Sequence, residues 1–101
     1  KPQAGDEWLQ MDFGATVNLR TINLQQGPTD GNDYPRSYAV IVSNTALDMN
    51  GIVRASGVGT AGVTTTIVLP NVTSGRYLLI KQLGTSLSWW SVEELEASCS
   101  D

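Results

Sequence analysis

An antiparallel β-sandwich is the fold this sequence predicts, and three observations predict it. Short stretches alternate apolar and polar residues with the period of two that a half-buried strand requires. Glycine, threonine, serine and valine are abundant, and clusters of turn formers separate the alternating stretches. No stretch sustains a 3.6-residue apolar period, so no helix of ordinary length is expected. With 101 residues the chain reads as one domain, 1–101, able to bury roughly 65% of its unfolded surface without a metal or crosslink.

The strands follow in order. Glu7 to Phe13 sets Leu9, Met11 and Phe13 on one side and Gln10 and Asp12 on the other, and Gly14 stops it. Thr16 to Leu24 carries Val17, Leu19, Ile22 and Leu24; the change of parity between Leu19 and Ile22 predicts a bulge near Arg20. Gln25 to Arg36 reads as a long loop, and connections of about a dozen residues are uncommon and often functional. Ser37 to Ser43 is a strand with Tyr38, Val40 and Val42 on one face, followed by a polar connection and a tight turn at Asn50-Gly51. A short strand near Ile52 to Ala55 precedes the glycine-rich 57–62. Val63 to Leu69 is β-branched, with Ile67 and Leu69 inward; Pro70 ends it and Asn71 to Gly75 reads as a turn. Arg76 to Gln82 places Leu78 and Ile80 on one face. Gly84 to Trp90 reads as a loop, and Val92 to Ala97 closes the sheet. About seven or eight short strands result, the pattern of a sandwich.

Composition removes several functions. Ten acidic against six basic residues, a net charge of −4, counts against nucleic acid and against electrostatic binding to an anionic membrane. No apolar run approaches the length of a membrane span. Histidine is absent, which removes histidine-based triads and the commonest zinc ligands. Cys99, the sole cysteine, has no internal disulfide partner and no basic neighbour to activate it. Gly57-Val58-Gly59 lacks the strand–turn–helix setting of a phosphate loop. Asn71-Val72-Thr73 matches a glycosylation acceptor, but a plain turn accounts for it. Glu94 and Glu96 share a strand face about 7 Å apart, wider than the roughly 5 Å of a retaining glycosidase, and a solvated acidic edge accounts for them. No catalytic set emerges.

Binding is better supported. Trp89 and Trp90 are adjacent, and adjacent residues of an extended chain face opposite ways, so one can anchor the core while the other offers a flat platform. A sugar ring presents an apolar face of C–H groups and a rim of hydroxyls. Its site needs an aromatic surface with short polar or planar charged groups around it. Trp89, with Asp30, Asn32, Asp33, Tyr34 and Arg36 of the long loop, supplies those types. A pairing of Arg36 with Asp33 or Asp12 and the packing of Tyr34 on Pro35 account for two of them equally well. Whether the two loops meet does not follow from spacing.

Four motifs in order carry a resemblance: Glu7 to Gly14 (EWLQMDFG), Asp33 to Tyr38 (DYPRSY) leading into Val40 to Ser43 (VIVS), Arg76 to Gln82 (RYLLIKQ), and Ser88 to Leu95 (SWWSVEEL). Together they resemble the discoidin, or coagulation factor 5/8 type C, domain, in the bacterial variant classed with family 32 carbohydrate-binding modules. The resemblance implies an all-β jelly-roll sandwich (galactose-binding-domain-like), secreted and extracellular, appended to a polysaccharide-degrading enzyme, binding a glycan and catalysing nothing. It places the exposed loop aromatic at Trp89, leaves Trp90 inward, and puts one carboxylate of a structural calcium site at Glu94. A cysteine partner for Cys99 would precede the residues seen here. Lys1-Pro2-Gln3 reads as the middle of a longer chain, beginning where the family is already well into its domain. The N-terminal edge is therefore expected to lack strands, and an open edge favours self-association. Galactose-binding members often use a histidine and an arginine further upstream in the long loop; there is no histidine here and Arg36 sits later, so galactose is not singled out, and glucans, chitosan-type and other neutral polysaccharides stay equally open. The competing expectation is an adhesion module for a protein or membrane surface, which the polar, acidic tip at 29–33 counts against.

Overall fold

Two strands of 19 residues, β2 (Glu7–Gln25) and β5 (Thr64–Gln82), organise the chain. In the computed structural model, which describes residues 2–26, 32–62, 64–92 and 94–99, they are joined by β1 (Pro2–Ala4), β3 (Tyr38–Ser43), β4 (Val53–Gly57), β6 (Thr85–Trp89) and β7 (Glu94–Cys99). No helix occurs among the described residues. The strands form a five-stranded antiparallel sheet in the order β4-β3-β5-β2-β7 and a two-stranded one, β1-β6.

A straight 19-residue strand would reach roughly 60 Å at about 3.3 Å per residue. The whole chain measures 35 × 25 × 22 Å, so β2 and β5 must bend back over themselves. The register shows where. Glu7 to Asp12 pair with Gln82 to Tyr77; residues 13–16 then stand opposite Arg76 alone, and the pairing resumes at Val17↔Gly75. Beyond Leu19↔Thr73, Arg20 alone stands opposite residues 69–72, and the pairing returns to its first register at Thr21↔Val68. Two compensating bulges thus carry both strands around a corner, the second at the Arg20 position that parity predicts. Bending brings Leu78, Ile80, Val40 and Tyr38 from one half of the sheet against Leu19, Ile22, Leu24, Ile67 and Leu69 from the other, all in one buried cluster. Leu9, Met11, Phe13, Trp90, Val92 and Leu95 close its margin.

Three sequence expectations are corrected here. Glu7–Phe13 and Thr16–Leu24 are one strand, β2; the expected strands on either side of Asn71–Gly75 are also one, β5, which is described from Thr64, Val63 lying outside the described residues. Gly14 and Pro70 do not end strands because they sit at the bulges, where a positive φ or a missing N–H is tolerated. The expected loop Gly84–Trp90 is strand β6, paired with the N-terminal β1.

The opposite face of β3 and β5 is also buried: Ala39, Ile41 and Leu79 are covered. The connection after β3 lies over them, held where Gln10 Oε1 accepts the Leu47 N–H (2.6 Å) and where Lys81 Nζ donates to the Met49 carbonyl (3.0 Å). Asp12 and Arg76 form a two-bond ion pair on the exposed surface (2.8 and 3.0 Å).

Gln82 is fully buried at the end of β5, and its amide is completely used. Its Nε2 donates to Glu7 Oε1 (2.9 Å) and the Gly84 carbonyl (2.8 Å), while its Oε1 accepts the Gly84 and Ser37 N–H groups (2.8 and 3.3 Å). Burial of the Glu7 carboxyl pushes its pKa up, but hydrogen bonds from the Ala4 amide, the Gln82 side chain and the Gly5 amide outweigh that and hold it at about 2. Replacing Gln82 by Leu keeps the volume and strands these partners. The expected loss is roughly 2–4 kcal/mol in urea unfolding, since an unmet buried polar group costs about 1–3 kcal/mol. A carboxyl whose pKa is lowered on folding stabilises above its unfolded value of 4.5. That contribution fades as pH falls from 4.5 towards about 2. The stability lead of the parent over Glu7→Gln, read from urea midpoints, should narrow across that window and be constant from pH 6 to 8.

Candidate functional site

Trp89 ends β6, and its neighbour Trp90 leaves the strand to pack against the core. The alternation of β6 puts Thr85, Leu87 and Trp89 on the outer face, where Leu87 is 94% and Trp89 58% exposed. The strand is positioned by its partner β1, through Pro2↔Trp89, Gln3↔Ser86 and Ala4↔Thr85. At its other end the turn lies against residues 36–37: Leu83 N–H donates to the Ser37 carbonyl (2.8 Å). A Cβ on Gly84 would stand 2.7 Å from Arg36 Cβ and 2.9 Å from the Ser37 nitrogen, so only glycine permits this approach.

The end of the long loop and the Trp89 segment do meet. Gln3, 3% exposed, joins them with one side chain. Its Nε2 donates to the carbonyls of Trp89 (3.2 Å) and Tyr34 (2.9 Å), and its Oε1 accepts the Arg36 N–H (3.0 Å). A second link comes from Ser91, whose Oγ donates to Asp33 Oδ2 (2.6 Å) and whose N–H donates to the Asp33 carbonyl (3.1 Å). Gly59 N–H to the Pro35 carbonyl (2.8 Å) fixes the loop from the other side.

The expected pairing partners of Arg36 are taken elsewhere: Asp12 by Arg76, Asp33 by Ser91. Arg36 instead lays its guanidinium 3.7 Å from the centroid of the Tyr34 ring and donates from Nη1 to the Tyr34 carbonyl (2.9 Å). This is a cation–π stack with N–H groups left over. Asn32 is exposed beside it. Asp30 lies outside the described residues, as does the side chain of Cys99. The result is a shallow surface: one exposed indole, a stacked tyrosine–guanidinium plane, an amide and a carboxylate with one oxygen engaged. Such a set can cover an apolar ring face and hydrogen-bond a rim of hydroxyls.

Glu94 is exposed on β7 opposite Gln25. Among the described residues no group of three or more acidic or cysteine side chains gathers. Calcium takes roughly six to eight oxygens, carbonyls and waters as well as carboxylates, of which Glu94 would supply one. Two depressions lie elsewhere among the described residues, around Arg54.

Sequence reasoning missed Gln3 and Ser91. A three-residue strand shows no periodicity, and nothing local marks Gln3 as buried; Ser91, adjoining the tryptophan pair, was within view.

The sequence matches the F5/8 type C domain family over residues 1–95. Among solved structures, it resembles the family 32 carbohydrate-binding module of C. perfringens NanJ, solved in complex with galactose (TM-score 0.76, 16% identity, covering 94% of this chain and 68% of that one). It also resembles chitosan-binding module 2 of a chitosanase/glucanase from Paenibacillus sp. IK-5, in complex with chitotriose (TM-score 0.76, 18% identity, 95% and 72%). A third is module 3 of family 32 from a family 31 glycoside hydrolase of Clostridium perfringens (TM-score 0.64, 16% identity, 96% and 67%). At these identities the likeness establishes the β-sandwich. No curated protein matches the sequence.

Gln3→Ala removes the shared partner of three backbone groups. It should cost roughly 1–3 kcal/mol in chemical unfolding. It should also speed hydrogen exchange at the Arg36 amide at least about tenfold, while the Leu79 amide changes only by the global loss.

Proposed function

We propose that this chain, which belongs to the F5/8 type C domain family, is a non-catalytic carbohydrate-binding module in which Trp89 stacks on a sugar face. The observation that carries this reading is the fastening of the exposed Trp89 to the Tyr34–Arg36 stack through Gln3. Arg36 and Asn32 donate to ring hydroxyls, and the Asp33 carboxylate accepts from them. The glycan-bound state of two structural neighbours supports the ligand class. The reading extends to an extracellular module joined to a polysaccharide-degrading enzyme, supported by the enzymes named for two neighbours. A shallow site binds weakly by itself, and attachment to an enzyme on the same polymer raises the effective concentration.

Leu87, nearly fully exposed beside Trp89, favours a second reading, an apolar tip that enters a membrane or protein surface. A glycan array followed by calorimetry on the strongest hit separates the two. Trp89→Ala should weaken glycan binding at least about tenfold and Arg36→Ala about threefold to tenfold, with Leu87→Ser within twofold. An array without hits, together with vesicle capture abolished by Leu87→Ser, overturns the glycan reading.

A further inference from the structure

Away from the Trp89 surface, β4 faces the middle of β5 across two adjoining depressions that share one residue, Arg54. The first, about 300 Å³, is walled by Val53, Pro70 and Val72 and edged by Arg54, Asn71 and Thr73. The second, about 220 Å³, continues past Arg54 to Asn44, Asp48, Ile52 and Ser74. The first alone reaches the lower end of small-molecule sites, roughly 300–1,000 Å³, and the two together fall within that range.

Arg54 is exposed and makes no ion pair or hydrogen bond with a described residue. The other charged groups here are committed or distant in chemistry: Asp48 Oδ2 accepts the Ser43 hydroxyl (2.9 Å), and Arg76 is held by Asp12. The Thr73 hydroxyl donates to the Asn71 carbonyl (3.1 Å), so it faces a ligand as an acceptor. The Asn71 side-chain amide is exposed and can donate or accept.

We propose that these depressions form a second saccharide site, selective for sugars that carry a carboxylate. The Arg54 fork takes the carboxylate in a two-bond, charge-assisted contact. The exposed apolar edges of Val53 and Val72 cover a C–H face, and Asn71 and Thr73 bind hydroxyls of the same ring. Asp48 sets the direction of the chain. Its carboxylate repels an acid group from the second depression and accepts hydroxyls there, so the acid end lies over Asn71 and the hydroxyl-rich end over Ser74. A guanidinium that pairs with no described residue gives up no ion pair among them on binding, which is why Arg54 and not Arg76 is assigned the role.

The test uses trimers of galacturonate and of mannuronate, with their methyl esters as uncharged counterparts, titrated by amide NMR and calorimetry. At least one trimer should bind, shifting the Thr73 and Ser74 amides, and its methyl ester should bind at least about tenfold more weakly. Arg54→Gln should weaken the acid form at least about tenfold with an unchanged unfolding midpoint, and binding should fall as salt rises from 20 to 200 mM, on the order of severalfold. Trp89→Ala should stay within twofold. Absence of binding by either trimer, equal binding of acid and ester, indifference to Arg54→Gln, or loss in Trp89→Ala each overturns the second site. None of these except the last involves the Trp89 surface, whose own glycan is tested separately.

Discussion

The structure depends on two buried glutamine side chains that hold consecutive backbone amides. Gln3 accepts the N–H of Arg36, and Gln82 accepts the N–H of Ser37. Each amide also donates twice, Gln3 to Tyr34 and Trp89, Gln82 to Glu7 and Gly84. A buried amide left unmet would cost several times what a met one contributes, so satisfied hubs of this kind specify one arrangement of the chain more than they add net stability. The β1–β6 pair, the residues before β3 and the turn after β5, which no single ladder joins, are thereby fixed to one another.

That constraint explains why a loop can carry a binding surface. Residues 34–37 are held mainly through their backbone, and the half-buried Tyr34 and Arg36 side chains stack on each other. Holding the backbone beforehand spares a ligand the ordering cost of the loop, the main way a shallow site gains affinity. The same economy governs Trp89, whose carbonyl is bound while its indole projects. The negative balance of the chain is consistent with this design, since neutral hydroxyl-rich ligands ask for no steering field. Arg54, which pairs with no described residue, is the local exception, and it is what distinguishes the two depressions chemically from the Trp89 surface.

Sequence periodicity located the core with few errors. Leu19, Ile22, Leu24, Val40, Ile67, Leu69, Leu78 and Ile80 are all inward and buried, because alternation on a pleated strand is a local property of the backbone. The bulge at Arg20 was legible for the same reason: a change of parity has no other remedy if both apolar pairs are to face one core. The strand ends were not legible. Gly14 and Pro70 ordinarily stop strands, yet here the bent hairpin of β2 and β5 needs irregular residues at its corner and absorbs them. The strand β6 was hidden because its alternation, Thr85, Leu87 and Trp89 outward, leads to solvent and not to the core.

By itself, then, the sequence determined the all-β class, the core face of the main strands, the exclusion of histidine chemistry and the division of the tryptophan pair into one indole packed on the core and one exposed. These follow from composition and from a period of two, both of which act at the range of neighbouring residues. Only the tertiary structure decided that Trp89 stands beside Tyr34 and Arg36, that Arg76 and not Arg36 pairs with Asp12, and that Gln3 is the joint between them. Gln3 and Trp89 are 86 positions apart, and a hydrogen bond across that interval exists only because β1 and β6 pair. No local pattern encodes such a contact; it follows from the pairing of β2 with β5 at Glu7↔Gln82, whose register β1 and β6 continue at Ala4↔Thr85.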